Sequence, residues 1–372
     1  MSKANGFLDT QKTEPMPDLA RCMVIAKKEY GKSLFSQISE MAKLAFSPRK
    51  IQPAEYFYFR LYDDDRFSFS DKRAFVGRNA QNKIFFQCNA VDWLAVAHDK
   101  LMFAAALEGL ALPTPEIYAI YHCFRTFGSA PALRCRDALT DFLRTGMPYP
   151  FFSKPVTGMY SVGAAAVREY DAARDSLVLT SGQAVPLRQC ADEIAPFDED
   201  GYLFQELLVP HPVIEEVCGD RISTARIVVA LTDRGPEILH ALWKIPTGDN
   251  VADNFWRPGN MLGAVAIESG RVQRVVQGTG PDQVEVRTHP DSSKPVQGLT
   301  LPDWKRLTDL CLTGASAFPK LRLQAWDVAM CASGPVLLEM NIGGDFNLPQ
   351  VANGCGLLDE RFRGFLAACN GG

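Results

Sequence analysis

The sequence predicts a protein of the α+β class, in which a mainly helical N-terminal region precedes two α+β subdomains. Hydrophobic residues make up 47% of the 372 residues and charged residues 22%, as in folded globular proteins. Helical periods dominate the beginning of the chain, whereas short β-rich runs separated by turn residues dominate the rest. A chain of this length exceeds most single cores, so we expect closely packed subdomains.

The N-terminal region, residues 1–98, begins with about 20 polar and proline-containing residues. Apolar residues then recur with a helical period over residues 31–45. A second helix is predicted over PAEYFYFRLYD, starting at Pro53, and is followed by irregular structure and a short strand, KIFFQC. We expect this region to be architectural.

The first α+β subdomain is predicted at residues 99–205. It opens with a helix over residues 99–112, which Asp99 caps and which Pro113 and Pro115 prevent from continuing. Short strands separated by glycine-containing turns then follow. Their sequences are PFFSKPV, AAAVREYD, SLVLTS, AVPL and YLFQELL.

The second α+β subdomain is predicted at residues 206–372. Four strands, ARIVVALTD, PEILHALWKIP, MLGAVAIES and RVQRVVQG, are followed by a helix over residues 302–318 and a C-terminal β-hairpin. The stretch at about 280–300 is the one internal linker candidate in the sequence. It is short, which again indicates tight packing.

Charge and motif content exclude several function classes. The formal net charge is −4, and no run of five like charges provides an electrostatic footprint for nucleic acid or an anionic membrane, so we expect small-molecule partners. The ten cysteines contain no CxxC pair and the five histidines no HExxH motif, which argues against zinc and thioredoxin-like sites. The N-terminus lacks an apolar signal segment, and the longest apolar helical stretch is far short of a bilayer span. We therefore expect a cytoplasmic protein without membrane insertion.

The C-terminal hairpin, LQAWDVAM-CASG-PVLLEMNI, carries the strongest local signal for a site. Alternation along its second strand places Glu339 and Asn341 on one face and Leu338 and Met340 on the other. A turn centred on Ser333 puts Asp327 opposite Glu339, and a one-residue bulge would change that register. Two facing carboxylates repel unless a hard cation such as Mg²⁺ joins them. A solvated polar face on an edge hairpin explains the same pattern.

A second candidate site is the segment FFSKPVTGMYSVGAAAV, in which Lys154 ends a strand and a glycine-containing turn follows. Backbone N–H groups of such a turn can approach phosphate oxygens, with the lysine as a point charge. The segment lacks the GK[ST] ending of a P-loop, and a plain hairpin remains an alternative. Lys100, next to the cap Asp99, places a cation at a helix N-terminus, a mild misfit that a nearby anion would relieve. VQGTGPDQV lacks the third glycine of a Rossmann motif.

The order of these motifs resembles the ATP-grasp superfamily and, within it, the sugar-transfer-associated ATP-grasp family, which is related to α-L-glutamate ligases. Residues from about 25 to 365 carry the resemblance. The matching segments are KKEYGKS, HDKLMFAAALEGLALPTP, STARIVV, ADNFW, THPDS, LPDW, WDVAM and GPVLLEMN. The resemblance implies an ATP-grasp fold, in which two α+β subdomains grip ATP.

The resemblance also assigns roles residue by residue. Two lysines, Lys100 and Lys154, would hold the phosphates of the nucleotide. The loop that closes over the phosphates would contain Ser161, Val162 and Gly163. The hinge at the adenine would consist of Gln205, Glu206 and Leu208. Magnesium would be held by Asp327, Glu339 and Asn341. Arg226 and Lys244 would line the phosphate side as catalytic residues, each with an alternative interpretation as a surface cation. His211 would approach the ribose or serve as a structural histidine, whereas Asn254 and His289 match family motifs to which the sequence assigns no role.

The activity that the resemblance implies is an ATP- and Mg²⁺-dependent ligase joining a carboxylate to an amine through an acylphosphate, in a sugar-linked or natural-product pathway. A phosphotransferase and a non-catalytic ATP-binding regulatory protein are the alternatives. The sequence departs from the family pattern after ADNF, where WRPGNMLG is less glycine-rich, and in the bulky MYSVG loop. These departures leave the acceptor open.

Overall fold

Helices dominate the chain up to about residue 110, as the sequence predicts. The computed structural model describes residues 6–10, 17–158, 162–342 and 344–370. The α-helices within these residues are α1 Leu19–Tyr30, α2 Leu34–Phe46, α3 Pro53–Tyr58, α4 Phe69–Lys72, α5 Arg78–Cys88, α6 Ala95–His98, α7 Lys100–Gly109, α8 Arg136–Thr145, α9 Leu187–Ile194, α10 Pro212–Cys218, α11 Trp304–Ser316, α12 Asn347–Asn353 and α13 Glu360–Asn370. No helix of the described ranges is both long and apolar enough to cross a membrane.

The strands form two sheets, one after the other along the chain: the first is mixed, because β1 and β2 are parallel, and the second is antiparallel. The described strands are β1 Ile117–Tyr121, β2 Ala132–Leu133, β3 Phe151–Pro155, β4 Ala165–Asp171, β5 Ser176–Leu179, β6 Ala184–Pro186, β7 Tyr202–Glu206, β8 Thr224–Thr232, β9 Gly235–Ile245, β10 Met261–Val265, β11 Val272–Gln277, β12 Val284–Glu285, β13 Leu323–Cys331 and β14 Gly334–Ile342. The first sheet has the order β2-β1-β7-β3-β4-β5-β6 and the second β12-β11-β10-β9-β8-β13-β14. The predicted α+β class is confirmed.

One predicted strand is wrong, because KIFFQC forms the second half of α5. Ile84, Phe85 and Cys88 are buried at helical spacing, whereas Phe86 is exposed. A short apolar run fits a strand and a helix equally well by periodicity alone, and burial against the second sheet decides between them here. The predicted helix from Pro53 also ends early, at Tyr58.

Helix α7 connects the two sheets and begins as the sequence predicts. The Asp99 carboxylate accepts hydrogen bonds from the backbone N–H groups of Leu101 and Met102, both at 2.9 Å. The Leu101 side chain packs in the core of the first sheet, whereas Phe103 and Leu107 pack in that of the second. This helix therefore fixes the position of Lys100, its first residue, between the sheets.

The second sheet is covered on both faces. On one face, α7 and α11 pack over a core that contains Trp243 and Trp326. On the other face, aromatic residues of the N-terminal region, among them Tyr56 and Phe57, cover β9, β10 and β11. The helical N-terminal region thus completes the core of the second sheet. The predicted boundaries at 98/99 and 205/206 stay a prediction.

The C-terminal hairpin pairs Asp327 with Glu339, but by a different route from the predicted one. The turn has two residues, since Cys331 pairs with Gly334, and a one-residue shift between Asp327 and Val328 then restores the pair. Such a bulge places two residues of one strand opposite one of the other. The two carboxylates meet because the bulge compensates for the tighter turn.

The same bulge corrects the predicted position of one side chain. The sequence places Leu338 on the face of Met340, but Leu338 packs beside Val336 at the edge of the hairpin. Met340 instead joins the main core with Leu337. Inserting one residue reverses the alternation of side chains, so residues on either side of the bulge exchange faces.

Candidate active site

A buried ion-pair network lies at the centre of the second sheet. Arg226 on β8 is the direct cross-strand partner of Asp327 on β13. Its Nε and Nη2 atoms donate hydrogen bonds of 2.8 and 2.7 Å to the two carboxylate oxygens of Asp327. Lys244 on β9 donates a third, of 3.0 Å, to Asp327 Oδ2. All three side chains are more than nine-tenths buried, so the charges face one another instead of water.

Burial and pairing oppose each other at Asp327. Burial alone raises the pKa of its carboxyl, but the positive charges and hydrogen bonds of Arg226 and Lys244 outweigh that effect and hold the pKa well below its usual range. Burial likewise lowers the pKa of Lys244, and the carboxylates of Asp253 and Asp327 reverse the shift. The network therefore stays charged at neutral pH.

The three predicted metal ligands lie together. Asn341 donates hydrogen bonds of 3.1 Å to both Asp327 Oδ2 and Glu339 Oε1. These three ligands are two carboxylates and an amide. Among the described residues, no group of three or more His, Cys, Asp or Glu side chains could hold a metal. Such oxygen donors fit Mg²⁺, which takes few protein ligands and keeps several waters. Glu339 is the more available carboxylate, because Asp327 already accepts bonds from two cations.

Lys100 and Lys154 approach this acidic group from the side of the first sheet. Lys100 Nζ donates hydrogen bonds of 3.3 and 3.2 Å to the carbonyl oxygens of Val156 and Gly158, in the loop after β3. Burial lowers the pKa of Lys100, against the opposing charges of Glu339 and Asp99. The pKa of Lys154 is lowered to about 8, mainly by burial and secondly by the charge of Lys100, although the charges of Glu339 and Asp327 oppose the shift. The two ammonium groups are close and incompletely compensated, as expected of an anion site.

The loop after β3 is fixed at Gly163. Its φ is +82°, and a Cβ there would lie 3.0 Å from Pro155 Cγ, so both conformation and space favour glycine. The Tyr202 hydroxyl donates a hydrogen bond of 2.9 Å to Gly163 O. Val162 is exposed, and Ser161, the third predicted residue of this loop, lies outside the described residues. The glycine thus aligns one end of the loop over β3.

The predicted hinge lies between the sheets. Gln205, near the end of β7, is buried, and the Glu206 N–H group is bonded to Glu116 O at 2.9 Å. Leu208 packs against the hairpin residues Ala329 and Val336. The next predicted residue, His211, accepts a hydrogen bond of 3.1 Å from Val213 N through its Nδ1 atom and caps α10. This arrangement agrees with the structural alternative for His211.

Sequence reasoning missed Asp253, which supports Lys244. One Asp253 oxygen lies 3.3 Å from Lys244 Nζ. The other accepts hydrogen bonds from the N–H and hydroxyl groups of Thr224, at 2.8 and 2.5 Å. Asp253 belongs to the ADNFW motif, to which the sequence alone assigns no role. Its neighbour Asn254 leaves a buried Nδ2 atom without a hydrogen-bond partner among the described residues.

His289, also unassigned from the sequence, has a structural setting. The ring is buried, Nε2 lies 2.9 Å from Pro246 O, and Nδ1 accepts a hydrogen bond of 3.2 Å from Asp291 N. Burial lowers the pKa of the imidazole. His289 therefore ties the loop after β9 to the THPDS segment.

Residues 6–10 form a strap that links the loop at Gly163 to the second sheet. Asp9 N–H donates to Ala164 O at 2.9 Å, and Asp9 O accepts from Gly163 N–H at 2.8 Å. The Asp9 carboxylate forms an ion pair with Arg257, which is 1% exposed and belongs to the loop between β9 and β10. The Gly163 loop is thereby linked to the second sheet through Asp9.

The fold and site define a class of protein in which two α+β units face each other, with two lysines on one side and an acidic hairpin on the other. The sequence model described as sugar-transfer associated ATP-grasp matches residues 81–363. The chain belongs to this family, and its fold is the ATP-grasp fold. No significant match was found among curated proteins.

Three solved structures show the range of similar folds. The VanG D-Ala:D-Ser ligase of Enterococcus faecalis is 14% identical, with 75% of this chain and 62% of that chain covered and a TM-score of 0.40. The D-alanine-D-alanine ligase of Helicobacter pylori is 11% identical, with 76% and 63% covered and a TM-score of 0.42. The L-amino acid ligase of Bacillus licheniformis is 14% identical, with 70% and 43% covered and a TM-score of 0.35. The chain thus aligns with less than two thirds of each.

Proposed function

We propose that this protein is an ATP- and Mg²⁺-dependent ligase that joins a carboxylate to an amine. The observation that carries the proposal is that Lys100 and Lys154 approach the hydrogen-bonded cluster of Asp327, Glu339 and Asn341. The charge of Glu339 raises the pKa of both lysines, whereas burial lowers both and the charge of Lys100 also lowers that of Lys154. Cations beside an acidic oxygen cluster suit a polyphosphate bound together with a divalent cation. Family membership supports the same interpretation.

In this proposal, residues 99–205 and 206–372 are the two lobes that grip ATP. Lys100 and Lys154 bind phosphate oxygens, Val162 and Gly163 belong to the loop over them together with Ser161, and Gln205, Glu206 and Leu208 form the hinge at the adenine. His211 supports the hinge as the cap of α10. Mg²⁺ would be held by Glu339, Asn341 and Asp327 and would neutralise phosphate charge.

The chemistry needs no protein nucleophile. An oxygen of the substrate carboxylate attacks the γ-phosphorus of ATP, and the bond from the γ-phosphorus to the β,γ-bridging oxygen breaks. ADP departs, and the substrate becomes an acylphosphate. The amine then attacks the carbonyl carbon, loses a proton and releases phosphate to form an amide. Arg226 and Lys244 supply fixed positive charge near these oxygens. Arg226 uses its Nε and Nη2 atoms for the two hydrogen bonds to Asp327. We therefore assign its third nitrogen, Nη1, to the oxyanion that forms when the amine attacks the carbonyl carbon.

The test is an ADP-release screen of the purified chain with Mg²⁺ and ATP against mixtures of amino acids, amino sugars and uronic acids, followed by mass spectrometry of the products. The proposal predicts ADP release that needs both a carboxylate and an amine, with an amide as product. A stable phosphorylated alcohol formed without an amine would instead identify a phosphotransferase. ATP binding without ADP release under every condition would identify a non-catalytic protein.

A further inference from the structure

Helix α2 packs on the protein through Gln37 and Leu44 and turns a second apolar face to solvent. Phe35 is 84% exposed, Ile38 56% and Phe46 86%. With Leu34 and Ala42, which are also exposed, these residues recur at helical spacing and form one continuous stripe. We call these five residues the α2 stripe. A helix of a globular protein normally buries such a stripe, so its exposure calls for a partner.

The packing of the opposite face fixes this orientation. Gln37 is fully buried and donates hydrogen bonds to Met23 O at 3.1 Å and Lys32 O at 2.8 Å. Glu40 accepts from Lys32 Nζ at 2.8 Å and from the Tyr56 hydroxyl at 2.9 Å. Rotating α2 to bury the stripe would break this polar network. The stripe is therefore an outer surface of the folded chain.

Although the chain contains no run of five like charges, the segment that carries the stripe is basic. Residues 19–50, which comprise α1, α2 and the turn after them, contain seven Lys and Arg but two Asp and Glu, a net charge of +5 in a chain of −4. The structure gives ion-pair partners to Arg21 and Lys32. It gives none, within the described ranges, to the other basic residues of this segment: Lys27, Lys28, Lys43, Arg49 and Lys50.

Two of these cations, Lys28 and Lys43, border exposed apolar side chains. Lys43 lies one helical turn from Phe46, and its Nζ is 5.9 Å from the ring centroid of Phe69, which is itself exposed. On α1, exposed Val24 is one turn from Lys28. Aromatic and aliphatic residues bordered by lysines are the composition of helices that lie in the interface of an anionic bilayer.

We propose that the α1–α2 hairpin docks this protein onto an anionic lipid surface, with the α2 stripe entering the headgroup region and the surrounding cations contacting lipid phosphates. A second copy fits less well, because a two-fold contact through the stripe would bring the same unpaired cations together. The docking is peripheral and needs no membrane-spanning helix. The hairpin also lies outside the matched residues 81–363, so the proposal does not depend on the ATP chemistry.

The experiment is flotation of the full chain with phosphatidylcholine vesicles, with and without phosphatidylglycerol. We expect binding that requires the anionic lipid, weakens as salt is raised and falls about tenfold or more in Phe35→Ser/Phe46→Ser. Phe124→Ser is the matched control, since Phe124 is 83% exposed but lies outside the hairpin. Lys27→Glu/Lys28→Glu should weaken binding without changing the apolar stripe.

Circular dichroism and ADP release should be the same in the Phe35→Ser/Phe46→Ser variant as in the parent chain, which separates loss of docking from loss of fold. Equal binding to neutral vesicles, or full binding by this variant, would overturn the proposal. So would failure of the parent chain to bind anionic vesicles. A concentration-dependent dimer in light scattering that the same variant abolishes would assign the stripe to self-association instead.

Discussion

Arg226 and Asp327 form a bidentate pair across neighbouring strands, with N–O distances of 2.8 and 2.7 Å and both side chains buried. Removing one partner of a buried ion pair leaves the other charge without compensation. Arg226→Ala should therefore lower the free energy of unfolding by about 3–5 kcal/mol, measured by urea denaturation. Arg226→Lys keeps the positive charge but not the two parallel hydrogen bonds, so it should lower the free energy of unfolding by less. A free energy of unfolding unchanged by Arg226→Ala would show that this pair does not stabilise the fold.

The strap makes a second prediction. Asp9→Asn keeps the size of the side chain but removes the charge that faces Arg257, so the Gly163 loop loses one link to the second sheet. If the loop binds phosphate in the ground and transition states alike, as proposed, the KM for ATP should rise about 5-fold or more while kcat changes less. Steady-state ADP release measures both constants. Asp141→Asn, at a largely exposed aspartate, should leave both unchanged; an equal effect of the two variants would remove the special role of Asp9.

Gly163 and Gly182 form a matched pair for the phosphate loop. Their φ values are +82° and +84°, but a Cβ at Gly163 would meet Pro155, whereas one at Gly182 would have nothing within 4 Å. Alanine at either site should cost about 1–2 kcal/mol of backbone strain. Only Gly163→Ala should also raise the KM for ATP, because the proposed function assigns this loop to the phosphates. Thermal unfolding and ADP kinetics of both variants separate the two effects.

The lowered pKa of Lys154 predicts how nucleotide binding depends on pH. With a pKa of about 8 in the free protein, the side chain is charged below this pH and neutral above it. ATP affinity should therefore fall as pH rises through about 8, as measured by calorimetry. The same shift means that the unfolded chain binds more protons between about pH 8 and the ordinary lysine pKa of about 10.4, so this group favours folding more as pH rises there. In Lys154→Arg, ATP affinity should be flat over that range, and a parent chain that is equally flat would contradict the assignment.

How far the sequence predicts this site depends on whether the signal is local. The register that pairs Asp327 with Glu339 depends on a bulge, but the grouping of Asp327, Glu339 and Asn341 in one hairpin is predictable from alternation along its strands. The bulge that moves Leu338 is not, since it depends on packing against the rest of the sheet. The strand predicted at KIFFQC is wrong for a related reason, as only contact with β8 and β13 distinguishes a helix from a strand there.

The contact of the strap with the second sheet cannot be predicted from the sequence. Asp9 and Arg257 are 248 residues apart in the chain, and neither belongs to a periodic pattern that would connect them. Asp253 was within reach, because it stands in the ADNFW motif, but its role emerges only when β8 and β9 bring Thr224 and Lys244 beside it.

The most direct test of the proposed ATP chemistry is ADP release by Glu339→Gln, compared with the parent chain and with Glu169→Gln at an exposed glutamate. The change keeps the size of the side chain and removes the more available of the two carboxylates assigned to Mg²⁺. We predict a loss of about 100-fold or more in turnover with an unchanged unfolding midpoint, and no loss for Glu169→Gln. Full turnover in a folded Glu339→Gln variant would contradict the assignment of the hairpin to the phosphate-bound metal.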